Sequence, residues 1–136
     1  MTNLVVGAAI LRAGLVLAQQ RAFPAAVAGQ WELPGGRVEP GETDRAALVR
    51  ECLEELGVRI RVGSPIAPDV PLRPGLVLRV FDAVLDPPDA TPVAREHTAL
   101  RWLSAATLDT VPWLPADREL LPALLARLLD RRSGTG

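Results

Sequence analysis

The 136-residue chain contains no lysine, one cysteine and one histidine. Without lysine, Schiff-base chemistry and a lysine general base are excluded. A single cysteine, Cys52, leaves no partner for an internal disulfide and points to a reducing compartment, the cytoplasm. A single histidine, His97, rules out a metal site built from paired imidazoles; read alone in a loop, it is incidental. The net charge is −1, so no electrostatic reason exists to expect a nucleic-acid partner. The first apolar stretch is short and broken by Arg12, with no basic run ahead of it, so neither a signal peptide nor a membrane span is expected. Repeats and long low-complexity linkers are also missing.

What is present suits one domain with a single core, spanning 1–136. Hydrophobic residues make up 49% of the chain. All 15 basic residues are arginine, whose planar fork fits phosphate oxygens and stays charged when partly buried. Asn3–Leu11 and Leu15–Arg21 read as a β-hairpin turning at Ala13-Gly14. Trp31–Leu33 reads as a short strand entering a Pro34-Gly35-Gly36 turn. Val58–Val62, Leu76–Leu85 and Ala99–Leu103 read as strands. The Pro-rich stretches Pro65–Pro74 and Pro87–Pro92 read as loops. A final amphipathic helix is expected over Ala116–Arg131, with Pro122 breaking it unless the helix begins there. Strands mixed with two helices indicate an α/β or α+β sandwich.

Thr43–Leu56 reads as a helix with Thr43 as N-cap and Gly57 as its stop. At about 100° per residue, Ala46, Val49, Leu53 and Leu56 form an apolar stripe expected on the core. Glu51, Glu54 and Glu55 then fall on the opposite side at i,i+3 and i,i+4 spacing. Like charges so placed weaken a helix, and the negative end of its dipole disfavours them further. A divalent cation would turn that repulsion into binding, and oxygen ligands select Mg²⁺ or Mn²⁺. A solvated acidic face is the simpler explanation of three helix glutamates. Against it stand the width of the apolar arc, extended by Leu48 and Cys52, and the bare backbone of Gly35-Gly36 just upstream.

Gly36, five residues, Glu42, seven residues, then Arg50-Glu51-Cys52-Leu53-Glu54-Glu55-Leu56-Gly57-Val58 resembles the complete Nudix box, over 36–58. The length and element order are similar to the MutT branch of that family. The resemblance implies an α/β/α sandwich around a mixed β-sheet. It also implies hydrolysis of a nucleoside triphosphate to a monophosphate and pyrophosphate, with Mg²⁺ or Mn²⁺ and no covalent intermediate. Glu51, Glu54 and Glu55 would be metal ligands, joined by the Gly35 carbonyl and by Glu96. Glu51 would also be the candidate base, and Arg50 would orient a box glutamate. Glu42 would hydrogen-bond within the loop at the helix start. Arg21 would contact the base or sugar, and Arg37 a phosphate. Asp117, in Trp113-Leu114-Pro115-Ala116-Asp117, would read the base, unless it only caps the final helix. Phe23 or Trp31 could stack on a base, with packing the equal alternative for Trp31, whereas Trp102 reads as core.

The leading expectation is sanitation of the nucleotide pool, and so DNA repair, with 8-oxo-dGTP as substrate. CTP or dCTP is the close second. A nucleotide-sugar or ADP-ribose hydrolase ranks lower, since this compact chain has little room for a second recognition element. A non-catalytic binding module of the same fold would have lost box acids, and here all are present. The chain is expected to act as a monomer or homodimer.

Overall fold

The computed structural model describes residues 3–130. Ten-residue β1 (Asn3–Arg12) lies at the centre of an eight-stranded mixed sheet. It pairs in parallel with β7 (Leu76–Leu85), in register from Asn3↔Leu76 to Ile10↔Ala83. It pairs antiparallel with β2 (Leu15–Gln20) through Leu11↔Val16 and Arg12↔Leu15. Ala13 and Gly14 both take positive φ, 52° and 77°, which gives the tight turn the twist its strands require. The other pairings are antiparallel. β3 (Trp31–Glu32) and β8 (Ala99–Leu103) flank β2. β4 (Gly35–Arg37) lies on β1, and β5 (Ile60–Pro65) and β6 (Val70–Arg73) lie on β7.

Residues 6–10 of β1 are all buried, because both faces of the sheet are covered. On one face Val6, Ala8, Ile10, Leu17 and Phe81 pack with Leu48, Cys52 and Leu56 of α1 (Asp44–Leu56). On the other, Ala9, Ala18, Leu78 and Val80 pack with Trp31, Trp113, Leu120 and Leu124. Leu124 belongs to α3 (Leu121–Leu129), which follows a single turn, α2 (Pro115–Arg118). This is an α/β fold with helices on both faces of a mixed sheet. Among the described residues, no helix is long and apolar enough to cross a membrane.

Several sequence expectations need correction. The final helix is two pieces, because Pro122 sits in the first turn of α3, where its missing N–H costs nothing; Arg131 lies outside the described residues. The Pro65–Pro74 segment contains β6, an edge strand, where Pro71 is tolerated because no inner ladder needs its donor. The Gly35-Gly36 turn is itself strand, paired to Gly7 and Val6. Trp102 is only half-buried, with the Arg12 guanidinium 4.4 Å from its ring.

The largest correction concerns the face of α1. Thr43 caps it as expected, accepting from the Ala46 N–H at 3.0 Å, and Gly57 ends it in a left-handed conformation. Its core stripe, however, is Ala47, Leu48, Cys52 and Leu56, while Ala46 and Leu53 are exposed. Apolar residues fill two adjoining arcs of this helix, and packing on β1 and β7 selects the Leu48–Cys52–Leu56 arc. Glu55 then lies only about 20° from Leu48, and Glu51 about 60°. They border the core instead of opposing it.

Candidate active site

A cavity of about 640 Å³ opens beside that border. Glu51 and Glu55 line it from α1, Gly35 and Gly36 from β4, and Glu96 and His97 from the loop before β8. Arg21, Phe23, Glu32, Leu72, Leu114 and Asp117 complete much of the remaining wall.

Glu55 is buried, 4% exposed. Its Oε1 accepts from the Gly35 N–H and its Oε2 from Gln19 Nε2, each at 3.0 Å. Burial outweighs these donors and pushes its carboxyl up to about 7. Glu51 is half-buried and also raised, first by burial, against the pull of Arg50 and with added repulsion from Glu54 and Glu96. Glu54 points outward, its side chain 54% exposed, and does not line the cavity. Glu96 is exposed on the cavity wall.

Arg50 organises this acidic cluster. Its Nε and Nη2 grip Glu42 at 2.7 and 2.9 Å, a bidentate fork. Its Nη1 then donates to Glu51 Oε1 at 2.8 Å and reaches Glu54 at 3.3 Å. Glu42 also accepts from the Glu39 N–H, and these contacts, Arg50 foremost, hold its carboxyl down at about 2. In this arrangement no three acids or histidines among the described residues converge tightly enough to enclose an ion. The donor set still suits a hard divalent cation, being all oxygen, with Glu54 and Glu96 each repelling Glu51.

The two glycines do different work. Gly35 has φ +154°, and a Cβ there would overlap the Val6 carbonyl on β1. A Cβ on Gly36 would instead meet the Glu51 carboxylate, the mobile end of a side chain. Gly35→Ala is therefore expected to lower the melting temperature sharply. Gly36→Ala is expected to fold near the parent's stability while turning Glu51 aside and lowering kcat. Melting curves and kcat for both variants check this; equal loss of stability in the two would refute it.

The remaining expected residues fall as follows. Arg21 lines the cavity and pairs with Glu32 at 3.1 Å. Arg37 is exposed at the end of β4 and does not line the cavity; its carbonyl accepts from Arg50. Phe23 is 64% exposed at the cavity wall, whereas Trp31 is buried packing. Cys52 is buried, and burial raises its thiol far above the usual range, so it is core. Asp117 does not cap α2, whose N-cap is Leu114 with no side-chain bond. Segment 112–114 runs beside Trp31, exchanging backbone hydrogen bonds with it, and so delivers Asp117 to Leu33. Asp117 Oδ2 accepts the Leu33 N–H at 2.9 Å. Burial pushes its carboxyl up to about 7, with Glu32 adding repulsion.

Three residues escaped the sequence reading. Gln19 is fully buried on β2 and reads as an ordinary polar strand residue until Glu55 is found against it. Glu32 binds both Arg21 and His97, and only its place beside the Gly-rich turn hinted at a role. His97, read from the sequence as an incidental loop residue, has a side chain 9% exposed with its Nε2 2.9 Å from Glu32 Oε2.

Known proteins resemble this chain in sequence and in fold. The family model described as NUDIX domain matches residues 1–124. "Putative 8-oxo-dGTP diphosphatase 2" of Mycobacterium tuberculosis (strain ATCC 25618 / H37Rv) is 45% identical over 133 residues, covering 96% of this chain and 92% of that one. CTP pyrophosphohydrolase of Escherichia coli (strain K12) is 40% identical over 122 residues, 90% of each chain. Among solved structures, the E. coli ORF135 protein superposes with a TM-score of 0.78 at 39% identity, covering 96% of this chain and 93% of that one. A MutT NUDIX hydrolase from Burkholderia pseudomallei gives 0.75 at 30% identity, covering 90% and 98%.

Proposed function

The chain belongs to the NUDIX family, and from that premise we propose that it is a metal-dependent nucleoside triphosphate pyrophosphohydrolase. The observation that carries the reading is one cavity lined both by Glu51 and Glu55 beside Gly35-Gly36 and by Phe23, Glu32 and Asp117. The first set suits a triphosphate with its cation, the second a nucleoside. The reaction is NTP plus water giving NMP plus pyrophosphate. 8-oxo-dGTP is the first substrate choice and CTP or dCTP the alternative. We place the activity in cytoplasmic nucleotide-pool sanitation and hence DNA repair.

Mg²⁺ or Mn²⁺ would be held by Glu51, Glu55 and Glu96 with the Gly35 carbonyl, and by Glu54 once its side chain turns in from its exposed position. When bound, such an ion neutralises phosphate charge and lowers the pKa of a coordinated water. Glu51 is the candidate base: burial raises its proton affinity, while Arg50 keeps its carboxylate oriented. Gln19 and the Gly35 N–H fix both oxygens of Glu55. Arg21 is the candidate nucleoside contact and Arg37 the candidate phosphate contact, with Arg37 needing to swing inward from its exposed position.

A screen of nucleoside triphosphates with Mg²⁺, read by chromatography of the products, tests the proposal. A monophosphate with pyrophosphate is expected; orthophosphate as the primary product would refute the reading. The ratio of kcat/KM for 8-oxo-dGTP and dCTP then ranks the two substrate choices.

A further inference from the structure

Helix α1 carries acids where a helix tolerates them least. Glu54 and Glu55 stand in its last turn, and no basic residue of the helix is there to offset the negative end of its dipole. The last four carbonyls of a helix also lack partners within it. The Gly57 N–H returns to the Leu53 carbonyl at 3.0 Å. Two more carbonyls are met from a distant part of the chain, the segment that leads from β7 to β8. The Val93 N–H donates to the Leu56 carbonyl at 2.9 Å, and the Arg95 N–H to the Glu55 carbonyl at 3.1 Å.

The Arg95 side chain completes this junction. Its Nη1 donates to the Leu53 carbonyl at 3.4 Å. Its guanidinium lies against Gly57, where a Cβ would meet Nε at 3.2 Å and Cζ at 3.3 Å. The glycine that ends the helix thus also leaves room for a cation brought from far along the chain, at the end where a cation is favoured. The residue after Arg95 is Glu96, which lines the cavity and repels Glu51. With no cation between the two carboxylates, that repulsion favours the loop leaving the helix, and the contacts at 93 and 95 oppose it. Beyond Glu96, the Thr98 N–H is tied to the Gln20 carbonyl at 2.9 Å. Glu96 is therefore held between the end of α1 and the end of β2.

We propose that Arg95 is a positioning residue that clasps the C-terminal end of α1 and thereby holds Glu96 at the cavity, where it can share a cation with Glu51. One contact serves both ends: the guanidinium offsets the acidic last turn of α1 and fastens the loop that carries the facing acid. The role of Glu96 toward a metal rests on the functional reading above, whereas the clasp rests on the contacts at Leu53, Glu55, Leu56 and Gly57.

The sign of the effect on metal binding separates positioning from simple charge. Removing a positive charge near a cation site strengthens Mn²⁺ binding, whereas releasing Glu96 weakens it. Arg95→Ala is expected to bind Mn²⁺ about 2–5-fold more weakly, the scale of losing a cation at an exposed helix C-terminus. Binding is followed by the electron-spin-resonance signal of free Mn²⁺. The loss should vanish when Glu96→Gln is already present, because Arg95 then has no ligand to hold. Amide hydrogen exchange at 93 and 95, corrected for intrinsic rates, should quicken by a similar factor, and that of Thr98, tied to β2, should not. Arg95→Lys, which keeps the charge, should recover most of both effects. Unchanged or tighter Mn²⁺ binding in Arg95→Ala would overturn the proposal. So would an equal loss in the Glu96→Gln background, or unchanged exchange at 93 and 95. A parent that hydrolyses no nucleoside triphosphate overturns the functional reading instead, and the Mn²⁺ titrations with the exchange rates still decide the role of Arg95.

Discussion

Glu55→Gln is expected to lose about 100-fold or more in kcat, since it removes a proposed metal ligand, and even outer-shell losses cost 10–100-fold. The same variant, without metal at pH 8, is expected to melt above the parent. The two effects share one cause. Glu55 is 4% exposed, and burial pushes its carboxyl up from 4.5 to about 7. Between those values the folded state binds a proton that the unfolded state has released. Stability from this group is therefore fully present below about pH 4.5, and is lost as the pH rises through about 7. Asp117, raised from 3.8 to about 7, acts in the same direction. A glutamine at 55 carries no charge to bury. Its oxygen can take the Gly35 N–H, and the open Oε1 of Gln19 can accept its amide after a flip. In the parent, Mg²⁺ or Mn²⁺ should raise the melting temperature at pH 8, because it binds the ionised folded form. That rise should be much smaller in the variant. Melting curves at pH 5 and pH 8, with and without metal, together with kcat, decide the matter. Parent-like activity would remove Glu55 from the site. A variant less stable than the parent at pH 8 would mean that its two hydrogen bonds outweigh the buried charge.

Asp117→Asn is expected to shift preference toward 8-oxo-dGTP over dCTP, by about 1–3 kcal/mol in kcat/KM, the cost of a mismatched buried polar pair. An ionised carboxylate only accepts and so suits the exocyclic amine of cytosine. 8-oxoguanine offers N7–H as a donor beside O6 as an acceptor, which an asparagine matches and an ionised aspartate does not. Protonated Asp117 can serve the purine edge as well. Burial raises its carboxyl to about 7, so the parent itself should change preference with pH. Its 8-oxo-dGTP to dCTP ratio is expected to fall as the pH rises from 6 to 8, whereas the asparagine variant's ratio should stay level. The ratio cancels titrations common to both substrates, including those of Glu51 and Glu55. Glu32 adds the repulsion that helps raise Asp117, and is itself bound by Arg21 and His97. Glu119 also lines the cavity. A ratio that is level in the parent and unchanged in the variant would mean that the base is read elsewhere.

Local chemistry in the sequence determined much of this protein. Helix α1 could be placed from Thr43 and Gly57 because caps act on neighbouring backbone groups. The β1–β2 turn followed from Ala13-Gly14, and the spacing of Glu42, Arg50, Glu51, Glu54 and Glu55 carried the family. Tertiary structure alone decided which arc of α1 faces the sheet. Apolar residues on that helix fill two adjoining arcs, and the choice belongs to β1 and β7, not to the helix. That choice buries Glu55, leaves Glu54 outside, and so ranks acids that are equal as letters. Contacts across long sequence separations were illegible for the same reason. Gln19 meets Glu55, His97 meets Glu32, and Asp117 meets the Leu33 N–H only because β2, β3 and segment 112–114 pair side by side. A sequence states which donors and acceptors exist; strand pairing determines which of them are brought within 3 Å, and burial determines how strongly each then holds its proton.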